Sequence, residues 1–139
     1  MKLYTYFRSS AAYRVRIALN LKGLASEQIA VHLTHEGGEQ HSEVYRQINP
    51  SELVPTLIDA ECTLNQSLSM LEYLDEKFPA MPVLPQDLQH RARIRALSLS
   101  IACDIHPLNN LRVLQYLTES LHLKNKKKKQ WYRNWVITG

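Results

Sequence analysis

The sequence holds only two cysteines, Cys62 and Cys103, in 139 residues. Two cysteines make no disulfide framework, which excludes the small secreted class stapled by bridges. They suit a reducing compartment and are expected to be buried as small apolar groups. Long apolar runs are absent too: no stretch approaches the ~20 residues that span a bilayer. Lys2 leads into a strand-like segment with Arg8 soon after, which is not a signal-peptide pattern. The expectation is a cytoplasmic protein with no membrane contact. No His/Cys cluster has metal-ligand spacing, so no metal is expected. Internal repeats are missing. Acidic residues are scarce at one end: residues 90–139 carry two Asp/Glu against ten Lys/Arg, and residues 1–89 carry eleven against seven. That asymmetry coincides with a change of pattern and marks two structural units.

Composition is otherwise ordinary for a globular chain, with 45% hydrophobic and 22% charged residues. Lys2 to Phe7 reads as a strand. Ala11 to Lys22 reads as a helix, with Ala11, Val15, Ala18 and Leu19 on one face and Gly23 as its stop. Gln28 to Leu33 alternates and forms a second strand, completing a right-handed βαβ unit. A loop at Gly37-Gly38 follows, then a short helix from Ser42 to Gln47, closed by Asn49-Pro50. Pro55 to Asp59 and Cys62 to Leu64 form a hairpin. Ser67 to Phe78 is helical. The order β-α-β-α-β-β-α occupies residues 1–80. Pro79, Pro82 and Pro85 punctuate a linker, set at 81–88. Residues 89–139 are read as the start of an all-helical domain, incomplete at Gly139. It opens with one long helix, Gln89 to Leu117, kinked at Pro107, and a second helix from about Lys128 carries Trp131 and Trp135 on one face.

Three segments carry chemistry. Ser9-Ser10 stands between the first strand and the first helix, where free backbone N–H groups and the positive dipole end favour an anion. A thiolate is such an anion, and the protein need not supply it. Val54-Pro55 opens a strand, and X-Pro is the bond at which cis is accessible. A cis bond there would turn the Val54 backbone outward to pair with an extended peptide. Gln66-Ser67 starts the third helix, with Ser67 as a natural N-cap or as a contact for a ligand carboxylate. Tyr4 and Tyr6 alternate on a strand and are read as packing. Lys124 and the run Lys126 to Lys129 are read as a solvated helix start, not a nucleic-acid contact.

Together these segments resemble the cytosolic glutathione transferases, most closely the zeta class with its maleylacetoacetate and maleylpyruvate isomerases. The blocks that carry the likeness are Tyr6-Phe7-Arg8-Ser9-Ser10 with Arg14-Val15-Arg16-Ile17-Ala18-Leu19, Gly37-Gly38-Glu39-Gln40-His41, Asn49-Pro50, Leu53-Val54-Pro55-Thr56-Leu57, Asn65-Gln66-Ser67-Leu68, and Cys103 to Arg112. The resemblance implies an α/β thioredoxin-like domain that holds glutathione, followed by an all-α domain that shapes the substrate site. It implies Ser9 as the hydroxyl beside the glutathione sulfur, with Ser10 in support. Gln40 would meet the glycyl end, Val54 the cysteinyl backbone, and Gln66 and Ser67 the γ-glutamyl end. His106 and Asn110 would touch glutathione. Arg8, His106 and Arg112 would hold a dicarboxylate substrate, and Pro55 would be cis. The implied reaction is isomerisation of maleylacetoacetate to fumarylacetoacetate in phenylalanine and tyrosine catabolism, performed by a homodimer. Alternatives are maleylpyruvate isomerisation, general glutathione transfer, or glutathione binding without catalysis. The zeta motif usually continues Ser-Ser-Cys, then a small residue, then Trp; here Ala11, Ala12 and Tyr13 stand at those positions.

Overall fold

The computed structural model describes residues 1–138; Gly139, the last residue of the expected helical domain, lies outside the described residues. The chain packs as two units, one from Met1 to Pro85 and one from Gln86 onward.

The first unit is built on a four-stranded sheet. Its elements are β1 (Lys2–Thr5), α1 (Ser10–Leu21), β2 (Glu27–Ala30), α2 (Glu43–Ile48), β3 (Thr56–Asp59), β4 (Cys62–Asn65) and α3 (Ser67–Lys77). The strand order is β2-β1-β3-β4. β1 runs parallel to β2 across α1, and antiparallel to β3, which forms the hairpin with β4. This is the βαβαββα arrangement of a thioredoxin-like domain. β1 and β2 stop earlier than their alternation suggests. Val31 N–H still bonds Thr5 O at 2.9 Å, and just beyond it Ser9 N–H closes back onto Tyr6 O at 2.9 Å as the chain turns into α1.

Period-2 alternation on β1 divides the core between the two faces of the sheet. Leu3 points to one face and meets Val15, Leu19, Leu57, Met70 and Leu74, all essentially inaccessible to water. Tyr6 points to the other and meets Val31, Tyr45 and Val54, with Tyr4 and Leu33 against them. Both tyrosines therefore pack. α1 ends where expected. Gly23 takes φ +64, Leu24 N–H reaches back to Leu19 O at 2.9 Å, and Gly23 N–H bonds Asn20 O at 3.1 Å. These are the paired bonds of a Schellman stop, for which glycine suits the left-handed position.

Residues 79–85 are less of a linker than their prolines suggest. Asp75 is buried on α3, and its carboxylate accepts from Val83 N–H at 2.7 Å and Leu84 N–H at 3.1 Å. Lys22, at the end of α1, pairs with Asp75 at 2.8 Å and donates to Met81 O at 2.7 Å and Phe78 O at 3.0 Å. One buried ion pair thus fastens this segment to the first unit, and the boundary falls after Pro85.

The second unit contains α4 (Leu88–Leu99), α5 (Leu111–Glu119) and α6 (Asn125–Ile137). The single helix expected from Gln89 to Leu117 is two. After α4 the chain widens into a π turn over Ser100–Ile105, closed by His106 N–H to Ile101 O at 2.9 Å. A 3₁₀ turn over Pro107–Asn109 follows, and Asn110 leaves helical backbone at φ −65, ψ 150. Proline supplies no N–H and crowds the preceding turn, and Asn110 then caps a new helix. α6 begins three residues before Lys128. Trp131 and Trp135 share one face, their rings edge to face at 5.8 Å, and Trp131 Nε1–H donates to Leu108 O at 2.9 Å. The expectation of two buried cysteines is corrected: Cys62 is half-buried on β4 and Cys103 is exposed. Among the described residues of this unit only Leu117 is buried, so the π turn has no core in which to place a thiol.

Candidate functional site

Sheet register assembles the site in the first unit. Tyr4 pairs with Thr56, and Thr56 pairs with Asn65, so these three residues form one row across β1, β3 and β4. Immediately beyond that row, at the same end of the sheet, the chain continues to Ser9 from β1, back to Pro55 and Val54 from β3, and on to Gln66 and Ser67 from β4. β2 is parallel to β1, so its continuation through Leu33 to Gln40 leaves by this end as well. Ser9, Val54, Gln66 and Ser67 are thus gathered by topology, although far apart in sequence.

Ser9 is the N-cap of α1, and its Oγ accepts from Ala12 N–H at 3.2 Å. That bond uses an oxygen lone pair and leaves the hydroxyl hydrogen to donate. No acidic residue stands in the first turn, so the positive end of α1 is not neutralised from within. Ser10 is exposed as the first helical residue, and Arg8 is exposed just before it.

Ser67 departs from its expected role as N-cap. Gln66 holds that position with φ 66 and ψ 111 and makes no capping bond through its side chain. Ser67 is instead the first residue of α3 and is 7% exposed. A non-glycine residue at this φ is uncommon and costs free energy, and such residues collect at ligand sites. The first turn of α3 has no acidic residue either. Two helix N-termini with unneutralised dipoles therefore open at one end of the sheet.

The Val54-Pro55 peptide bond is cis. A buried polar network holds the loop before it. Tyr45 O–H lies 2.7 Å from Leu53 O and 2.9 Å from Thr56 Oγ1; Asn49 Nδ2 donates to the same two oxygens at 2.8 and 3.0 Å, and Asn49 Oδ1 accepts from Ser51 N–H at 3.0 Å. Burial pushes the Tyr45 phenol above its ordinary pKa, against the pull of its bonds to Thr56 and Asn49. The network joins α2 to β3 and fixes the segment carrying Val54. In the sequence Asn49-Pro50 marks only the end of a short helix, and no spacing there links Tyr45 to Thr56.

Gln40 is 4% exposed beside this loop. His41 and Arg46 contact the Glu52 carboxylate, and the His41 bond followed by the Arg46 charge holds that carboxyl below its ordinary pKa despite some desolvation.

His106, Asn110 and Arg112 lie together in the second unit, around the start of α5. Asn110 Oδ1 accepts from Arg112 N–H at 3.3 Å as the N-cap, and His106 closes the π turn through its backbone. Asn110 therefore has a structural task in addition to the expected ligand contact. Arg112 is exposed.

A cavity of ≈ 240 Å³ lies elsewhere on the first unit, lined by Thr5, Tyr6, Phe7, Arg16, Gln28, Ala30 and His32. It includes none of the expected site residues. Among the described residues, no group of three or more His, Cys, Asp or Glu is placed to hold a metal ion, and no helix is long and apolar enough to cross a membrane.

Residues 3–84 match the family described as "Glutathione S-transferase, N-terminal domain". With that match covering more than half its length, the chain belongs to the glutathione S-transferase family. It is 57% identical over 137 residues to a probable maleylacetoacetate isomerase of Vibrio cholerae, covering 99% of this chain and 64% of that protein. It is 41% identical to a maleylpyruvate isomerase of a Ralstonia species, covering 100% of this chain and 65% of that one. Among solved structures it superposes with a TM-score of 0.94 and 43% identity on a maleylacetoacetate isomerase of Methylobacterium extorquens AM1 with bound malonate and glutathione, covering 99% of this chain and 64% of the other. A holo maleylpyruvate isomerase, a bacterial zeta-class member, gives a TM-score of 0.94 at 40% identity. The chain thus spans less than two thirds of the length of these relatives.

Proposed function

We propose that the chain binds glutathione at the end of its sheet and uses it for cis–trans isomerisation of maleylacetoacetate to fumarylacetoacetate. The observation that carries this reading is the Tyr4–Thr56–Asn65 row, which delivers Ser9, Val54 and Gln66-Ser67 to one place. An extended tripeptide with a carboxylate at one end and a thiol in the middle fits that set. The γ-glutamyl group meets the first turn of α3 at Gln66 and Ser67. The cysteinyl backbone pairs with Val54, and Gln40 meets the glycyl end. The sulfur lies at Ser9, with Ser10 in support.

A free thiol ionises near pH ~8.5, and a helix N-terminus with a hydrogen-bond donor lowers that value. The Ser9 hydroxyl and the α1 dipole favour the thiolate. The thiolate then adds to the substrate double bond, whose electron pair moves onto the conjugated carbonyl as an enolate. Rotation about the resulting single bond follows. Return of the electron pair expels the thiolate and re-forms the alkene in the trans geometry, so glutathione is regenerated. Arg8, His106 and Arg112 are assigned to the substrate carboxylate and the developing enolate. The protein works as a cytoplasmic homodimer, with no metal and no nucleic-acid partner.

Maleylpyruvate isomerisation is the second reading, favoured by the relatives that bear that name. Comparing turnover of the two substrates, each with and without glutathione, tests both. Higher kcat/KM for maleylacetoacetate, abolished when glutathione is omitted, is the expected result. Glutathione binding with no turnover of either substrate would leave the chain a binding module.

A further inference from the structure

The loop before Pro55 is held by a buried circuit in which the contacts place every proton. Leu53 O can only accept, so the Tyr45 hydroxyl donates to it at 2.7 Å and the Asn49 amide nitrogen at 2.8 Å. Tyr45 has one hydroxyl hydrogen, so its 2.9 Å contact with Thr56 is the Thr56 hydroxyl donating to the Tyr45 oxygen. Thr56 Oγ1 in turn accepts from Asn49 Nδ2 at 3.0 Å. Ser51 N–H, which can only donate, meets Asn49 Oδ1 at 3.0 Å and fixes which way that amide faces. Tyr45, Asn49 and Thr56 are all buried.

The circuit sets the direction of one peptide plane. Two buried donors draw the Leu53 carbonyl into the network. The Leu53–Val54 bond is trans, and in a planar trans peptide the C=O and the following N–H point opposite ways. Val54 N–H therefore points away from the network. Thr56, two residues on, is already paired with Tyr4 on one side and Asn65 on the other. Among the described residues, neither the N–H nor the C=O of Val54 meets a hydrogen-bond partner, although Val54 is only 9% exposed. Main-chain groups so placed are satisfied by water or by a ligand.

We propose that Asn49, Tyr45 and Thr56 are positioning residues that aim the Val54 N–H at the cysteinyl carbonyl of glutathione. The inference rests on the glutathione reading above and goes beyond it by naming the ligand atom addressed and the side chains that aim the donor. They act through Leu53 O. A peptide plane set in advance spares the ordering that a loose loop would undergo on binding.

Calorimetric titration with glutathione, γ-glutamylcysteine amide and γ-glutamylcysteamine tests this. The last two lack glycine and differ only in the cysteinyl carboxamide, so γ-glutamylcysteamine has no carbonyl for Val54. Asn49→Ala should weaken glutathione and γ-glutamylcysteine amide about tenfold, and Tyr45→Phe several-fold, while γ-glutamylcysteamine binds each variant as it binds the wild type. In the wild type, the Val54 amide should exchange its hydrogen quickly in the free chain and slowly once glutathione is added. That measurement needs no variant, so it decides the proposal even where Asn49→Ala does not fold. Equal losses for all three ligands, no loss for any, or a Val54 amide already protected in the free chain would overturn the proposal. Glutathione that binds the wild type without slowing Val54 exchange would overturn it alone, whereas a wild type that binds none of the three would overturn the glutathione reading with it.

Discussion

Ser9 combines two tasks in one oxygen. Its lone pair satisfies Ala12 N–H at the start of α1, and its hydrogen remains for a ligand. Ser9→Ala therefore removes both. The lost cap should cost about 1 kcal/mol of stability, read as a lower urea midpoint. The lost donor should lower kcat/KM for isomerisation about 100-fold, while Ser9→Thr keeps most of both. Activity unchanged in Ser9→Ala would remove Ser9 from the chemistry. Ala11 stands at the usual cysteine position, so that position brings no thiol to this turn. Gly38 poses a different demand at the same scale. Its φ of +109 and its closeness to Gln40 leave no space for a methyl group, so Gly38→Ala should raise the KM for glutathione several-fold with little change in kcat.

Among the elements, α1 and α3 are tied by Lys22 and Asp75, and the pair gives stability a pH dependence. Burial pushes the Asp75 carboxyl up, but Lys22 and the N–H groups of Val83 and Leu84 pull it further down, to a net value below the ordinary one. A carboxyl lowered in the folded state contributes stability that is fully present above the ordinary value of about 3.9 and is lost as pH falls through its folded value. Acid should therefore weaken the wild type below about pH 4 more steeply than Asp75→Asn. At pH 7 that variant should be destabilised by about 3 kcal/mol, because Lys22 is left buried and unpaired; urea melts at both pH values measure this. α6 has the opposite defect. Lys124 caps it without a side-chain bond, and Lys126 to Lys129 crowd its positive end. Lys124→Asp should stabilise by about 1 kcal/mol, seen as a higher Tm. Most elements were legible from periodicity and from Ser9, Gly23 and Pro55. The break at Asn110 was not, because leucines at helical spacing run straight through it and only the backbone reveals the cap. Nor was the Lys22–Asp75 pair, whose partners lie on different helices with no pattern linking them.

For the whole molecule, topology does what local sequence cannot. Ser9, Val54 and Gln66 each look like a routine turn, proline or cap in isolation. The antiparallel registers of β1 with β3 and of β3 with β4 turn them into one site. His106, Asn110 and Arg112, by contrast, are grouped locally by the turn that opens α5. In the proposed mechanism this site lowers the pKa of a borrowed thiol through Ser9. The direct measurement is the thiolate absorbance of bound glutathione as a function of pH, in the wild type and in Ser9→Ala. In the wild type the bound thiol is expected to ionise well below its free value of about 8.5, and in Ser9→Ala to move back toward it. A bound thiol that titrates at its free value in both proteins would contradict it.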